Sequence, residues 1–184
     1  YGLLASNEHQ SPVLDEGVTS YVEGRLLREA YGAGSAVAWP GLAISMDALR
    51  RAHAAAHVHD DVVTQPAPAF SDFSSIGALV YSKAAVTLDT LGRTHGEAAL
   101  DRALGRYARE QRFAHPRFAD LSSAVAREVG AGAAEQLAVA LGERGWVNFV
   151  AEEPRCAPAP PPPAAEPGLD ADEPLTRCRA LVRR

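Results

Sequence analysis

Residues 11–24 read SPVLDEGVTSYVEG. Ser11-Pro12 is a good helix entrance, because proline lacks the N–H that a first helical turn leaves unbonded anyway. From there Leu14, Val18, Tyr21, Val22 and Arg25 recur at helical spacing and predict a buried stripe. At about 100° per residue, Glu16, Ser20, Glu23 and Leu27 fall on the opposite side. Asp15 and Glu16 also suit the positive end of the helix dipole. Periodicity leaves two readings of these acids open: a solvated face, or one wall of a site.

Working outward, this helix is predicted to run to about Tyr31, with Gly32 and Gly34 ending it. Residues 33–42 read as a loop around Trp39-Pro40. Ser45 caps a second helix that ends near His57 or His59. Residues 60–73 read as a loop, with Pro66 and Pro68 against regular structure. A third helix opens at Ser74 or Ser75, with an apolar arc of Ile76, Leu79, Val80, Ala84, Thr87, Leu88 and Leu91. Gly96 separates it from a fourth helix, His115-Pro116 breaks the chain, and Asp120 lies near the start of a fifth. A sixth follows over 131–145. No strand is predicted. Trp146, Val147, Phe149 and Val150 read as an extended end. After Glu153 the composition changes to PRCAPAPPPPAAEPG, which cannot form a core. The expected organisation is a helical domain over 1–153 and a disordered Pro-rich tail over 154–184.

Composition agrees with a mainly helical fold. The chain has 184 residues, abundant alanine and few β-branched runs. Its net charge of −5 is spread among interleaved acids and bases, so nothing resembles the basic stripe of a nucleic-acid binder. No apolar run approaches the roughly 20 residues that cross a bilayer. Cys156 and Cys178 form neither a disulfide framework nor a C-x-x-C metal pattern. The chain starts at Tyr1, shows no signal peptide, and reads as a piece of something longer.

Chemistry-bearing motifs are sparse. His53 and His57 stand at i and i+4, a spacing that can hold one metal ion, but the glutamate of H-E-x-x-H is absent because residue 54 is Ala. A polar helix end is the expected reading of this pair. Tyr81 lies between the apolar arc and the polar face of the third helix, where a tyrosine usually packs half-buried. No P-loop, no G-x-S-x-G elbow and no dinucleotide fingerprint is present.

Three stretches together resemble one family. LDEGVTSYVEG is similar to the L-[ND]-E-G-[FL]-[AT]-x-[YF]-x-E segment of gluzincin zinc peptidases of the aminopeptidase N type. VYSKAAVTLDTLGRTHGEAALDRALGRYARE resembles that family's segment that opens Y-x-K-[GA] and ends in a helix. FAHPRFADLSSAV resembles its next segment, an aromatic followed by an aspartate that opens a helix. Order and spacing agree over residues 1 to about 150. Val13 stands where the family often has Trp, Ala85 where many members have Ala or Pro after Gly, and Leu100 where they have Phe. The family segment that reads a substrate's free amino group has no counterpart in this stretch.

The resemblance implies a fold and a site. The fold would be the helical, C-terminal lobe of a thermolysin-like catalytic domain. The family's zinc pattern is H-E-x-x-H, a spacer, then Glu, and Glu16 matches the late Glu as third ligand. That pattern places the H-E-x-x-H so that it ends four positions before Tyr1. Tyr81 matches the tyrosine that donates its hydroxyl to a tetrahedral oxyanion. Glu23 would be an outer partner of a zinc-bound histidine. The implied cofactor is one Zn²⁺, and the implied partner is a peptide substrate. The function implied is hydrolysis of N-terminal peptide bonds by zinc-activated water, with residues 1–184 inactive alone. The rival expectation is a non-catalytic helical interaction module. A second rival is a metal module on His53, His57 and His59.

Overall fold

In a computed structural model of the chain, residues 2–145 are described in full, together with the backbone of 150–158 and 176–183. Contacts divide the chain into two units, Tyr1–Trp146 and Val147–Arg184.

The first unit is mainly helical, and its helix ends follow local chemistry. A π-helical turn, Val13–Gly17, opens directly into helix α1, Val18–Tyr31. Gly32 follows at φ 58°, which ends α1. Ser45 accepts a hydrogen bond from Ala48 N and so caps α2, Met46–His57. Helix α3, Phe73–Ile76, continues through a second π-helical segment, Gly77–Lys83, into α4, Ala84–His95. Its cap is Asp72, whose carboxylate accepts from Ser75 N, rather than Ser74 or Ser75. Then come α5, Glu97–Glu110; α6, Phe118–Glu128; and α7, Ala131–Gly142. Asp120 Oδ2 accepts from Arg117 N at 2.7 Å and closes the start of α6.

One expectation fails in the stretch read as a loop. Strands β1, Val37–Trp39, and β2, Leu42–Ile44, pair antiparallel, with Trp39 opposite Leu42. Two residues join them, Pro40 and Gly41, and Gly41 has φ 79°. Proline presets the first turn position and glycine alone tolerates the second, so the P-G dipeptide was the available signal. Hydrophobic alternation could not show it, because both strands are largely exposed.

The buried face of α1 is also rotated from the predicted stripe. Leu14 and Tyr21 are buried as expected, but Val22 is 44% exposed and the remaining inward positions are Gly17, Ser20 and Gly24. These small residues carry almost no hydrophobic signal. They matter because they let neighbours approach. A Cβ on Gly17 would lie 2.7 Å from Ala84 Cβ and 3.1 Å from the Val80 carbonyl oxygen.

The run α3–α4 is the centre of the core and is buried nearly all round, through Leu79, Val80, Ala84, Leu88 and Leu91. Leu100, Tyr107, Leu121, Val125, Leu137 and Leu141 from α5 to α7 pack in the same cluster. Its buried polar groups are largely engaged, as burial requires, although the Tyr107 hydroxyl is buried without a hydrogen-bond partner. Asp89 accepts from Arg28, Arg51 and Arg93 at 2.9, 3.1 and 2.7 Å. Lys83 Nζ donates to the carbonyls of Glu143 and Gly145 at 3.2 and 3.0 Å, beyond the end of α7. Burial lowers the pKa of this ammonium.

Asp61 ties the loop before α3 to the helix. It is 3% exposed and accepts from Ser71 N, Ser71 Oγ and Ser75 Oγ at 2.8, 3.1 and 2.6 Å. Burial pushes its carboxyl up, but hydrogen bonds from Ser75, Ser71 and Gln65 together win and hold its pKa at about 2. A folded-state pKa below the unfolded value stabilises the fold above the ordinary carboxylate range. That contribution, about 2 kcal/mol, is lost as pH falls through about 2. Urea unfolding between about pH 2 and 5 should show this dependence, and Asp61→Asn should flatten it.

In the second unit, β3, Val150–Pro158, pairs antiparallel with β4, Thr176–Arg183. The start of the Pro-rich stretch, expected to be disordered, is thus extended and paired through Pro158. The rest of the proline run, 159–175, and the expected extended residues Trp146, Val147 and Phe149 lie outside the described residues.

Candidate functional site

The two π-helical segments carry the two leading site residues. Glu16 lies in Val13–Gly17 and Tyr81 in Gly77–Lys83. Such segments widen a helix by one residue per turn and recur at functional sites. The segments pack against each other because Gly17 presents no side chain to Val80 and Ala84. The consequence is that the Tyr81 hydroxyl lies close enough to the Glu16 carboxylate for the acid to raise its pKa.

Tyr81 is half-exposed and Glu16 half-buried, so the pair lies at the surface. Burial raises the Tyr81 pKa first. The Glu16 carboxylate, and the charges of Asp15 and Glu8, push it further, to about 12. At neutral pH Tyr81 is therefore a neutral phenol that keeps its proton and donates it.

Acidic groups crowd this point. The charge of Asp15 raises the Glu8 pKa first, then burial, a hydrogen bond to Asp15 and the charge of Glu16. Asp15 is buried, and its Oδ1 accepts from Ser6 Oγ at 3.2 Å. Its Oδ2 is buried without a hydrogen-bond partner. Clustered carboxylate oxygens are the donor type that a hard cation takes. The donor set is nonetheless incomplete: among the described residues no group of three or more His, Cys, Asp or Glu could hold a metal ion. Glu16 fits as one oxygen ligand of a shared site.

Glu23 is steadied by an arginine of α2. Its Oε2 lies 2.5 Å from Arg50 Nη2, and Arg50 Nη1 donates to Ser20 O at 2.6 Å. Arg50 is buried with its head on α1, a placement that sequence reading missed because arginine is usually read as solvated. The cleft lined by Tyr21, Arg25, Arg28, Asp47, Arg50 and Asp89 is filled by ion pairs, including Arg28 to Asp47 at 2.8 Å.

His53 and His57 do not converge on a metal. His53 Nδ1 meets Ser82 Oγ at 3.1 Å, and His57 Nδ1 meets Asp60 Oδ2 at 2.7 Å. The pair instead forms a polar seam between α2 and the run α3–α4.

No family model matches the sequence, and no curated protein matches it. Solved structures do. One is a two-domain M1 zinc metallopeptidase mutant bound to L-arginine, with a TM-score of 0.59 and 20% identity, covering 78% of this chain and 30% of that one. Another is an M1 zinc metallopeptidase mutant from Deinococcus radiodurans bound to a Tyr-Ser-Ala substrate, with a TM-score of 0.55 and 21% identity. It covers 74% of this chain and 28% of that one. A third, bound to L-tryptophan, matches equally well, with 21% identity, a TM-score of 0.55 and the same coverage of 74% and 28%. The chain spans less than a third of the length of these proteins. It has the fold of their helical part.

Proposed function

We propose that this chain is the helical part of the catalytic domain of a zinc metallopeptidase. The apposition of Glu16 and Tyr81 supports that reading most directly, because it pairs a ligand-type carboxylate with a proton-keeping hydroxyl. In this reading Glu16 supplies one carboxylate ligand, and two histidines and the general base come from an H-E-x-x-H outside residues 1–184. Zinc, when held, supplies a nucleophile at neutral pH by lowering the pKa of a water toward about 7. Tyr81 keeps its proton on Oη and points it at the oxyanion that grows on the scissile carbonyl. Glu23, steadied by Arg50, accepts a hydrogen bond from a ligating histidine and so orients that ring. The finer reading is an aminopeptidase. The amino acids and the short peptide named in the matching structures all carry a free α-amino group, which supports it.

The test is zinc content and peptidase activity of the full-length polypeptide. Glu16→Gln is expected to drop zinc well below one equivalent at micromolar metal, with aminoacyl-nitroanilide hydrolysis lost in parallel. Full zinc occupancy in that variant would remove Glu16 from the site. Residues 1–184 alone are expected to hydrolyse no peptide. Activity there would overturn the placement of the missing ligands, and an inactive full-length protein would favour the interaction module.

A further inference from the structure

A second constellation lies at the end of α2, away from the Glu16–Tyr81 pair in sequence and on different elements. His57 Nδ1 faces Asp60 Oδ2 at 2.7 Å, and His57 Nε2 faces Ser74 Oγ at 3.3 Å. Asp60 can only accept when ionised, so it fixes the ring proton on Nδ1. That leaves the Nε2 lone pair pointed at the Ser74 hydroxyl. Carboxylate, imidazole and hydroxyl are thus joined in the order that activates a serine.

The backbone around Ser74 is fixed from both sides. Asp72 accepts from Ser75 N at 2.7 Å, and Ser75 Oγ is bound to the buried Asp61 at 2.6 Å. Ser74 itself is exposed, and its neighbour Phe73 is 86% exposed, so an apolar group has a surface to lie on. The other histidine of the seam is a built-in contrast. His53 meets Ser82 at 3.1 Å, but Ser82 is buried and no carboxylate orients His53 among the described residues.

We propose that Ser74 is an activated nucleophile, with His57 as its base and Asp60 as the group that orients the base, reactive toward aryl esters and fluorophosphonates. With a fluorophosphonate, Ser74 Oγ bonds to phosphorus, the P–F bond breaks, fluoride leaves with the bonding pair, and the hydroxyl proton passes to His57 Nε2. With an aryl ester the acyl carbon takes the Oγ bond, and the departing aryloxide recovers the proton from His57. This site uses no residue of the peptidase proposal and stands without it.

The experiment treats the 184-residue chain with an alkyl fluorophosphonate and maps the adduct by peptide mass spectrometry. One adduct on Ser74 is expected, absent in Ser74→Ala. His57→Gln should slow labelling by roughly a hundredfold, the usual worth of a positioned base, and Asp60→Asn should slow it less. Circular dichroism of each variant checks that it folds, and release of nitrophenolate from 4-nitrophenyl acetate follows the same order. Absence of an adduct, adducts spread over other exposed serines, or unchanged labelling in folded His57→Gln would overturn the proposal.

Discussion

Under the proposed metallopeptidase reading, Tyr81→Phe in the full-length polypeptide is expected to cut turnover by roughly 10²- to 10³-fold with little change in KM. That is about 3–4 kcal/mol of barrier, the cost of losing one oxyanion donor in a preorganised site. The argument rests on the state of the phenol. With a pKa of about 12, Tyr81 holds its proton across the working range and has one to donate. Glu16 is among the groups that raise this pKa, so the hydroxyl and the carboxylate lie within electrostatic reach of each other. Phenylalanine keeps the ring and its packing, so unfolding free energy should change by no more than about 0.5 kcal/mol. A rise in KM with turnover preserved would show that Tyr81 only packs. The raised pKa carries a second signature with a definite sign. The unfolded chain loses this proton first, so the contribution of Tyr81 to stability should decline as pH rises from about 10 to about 12.

Gly17→Leu is expected to destabilise the chain by about 3 kcal/mol and to separate Glu16 from Tyr81. Gly17→Ala is the sharper version, because two effects oppose each other. Alanine in a helix gains up to about 1 kcal/mol over glycine. Its Cβ would lie 2.7 Å from Ala84 Cβ and 3.1 Å from a backbone carbonyl oxygen, neither of which is a flexible chain end. Overpacking of that kind costs about 1–3 kcal/mol, so the overlap should win. Urea unfolding measures the sign. An alanine variant more stable than the parent chain would mean that the two π-helical segments do not touch as described. Under the proposed reading the same variants should also weaken zinc binding by the full-length polypeptide, since Glu16 shares the displaced turn.

Local chemistry made much of this fold legible. Ser45 as a cap, Gly32 and Gly96 as stops, and Asp120 at the start of α6 each act on their immediate neighbours. Glu16 and Tyr81 are singled out only by the family resemblance, since periodicity alone leaves Glu16 open and gives Tyr81 a packing role. Reading failed where a residue's role depends on a distant partner. The Pro40-Gly41 hairpin hid in a loop because its strands bury little. Arg50 and Asp61 carry no sequence signal of burial, and only their partners, Glu23 and Ser20 for one, Ser71 and Ser75 for the other, account for it.

By itself, then, the sequence determined the helical class and most helix ends, because propensity and capping act over a few residues. Tertiary structure alone decided which face of α1 turns inward, how closely it approaches α4, and hence that Glu16 and Tyr81 meet. That choice rests on Gly17, Ser20 and Gly24. Small side chains carry little hydrophobic signal along the chain, and their effect exists only when a second helix comes close enough to need the space.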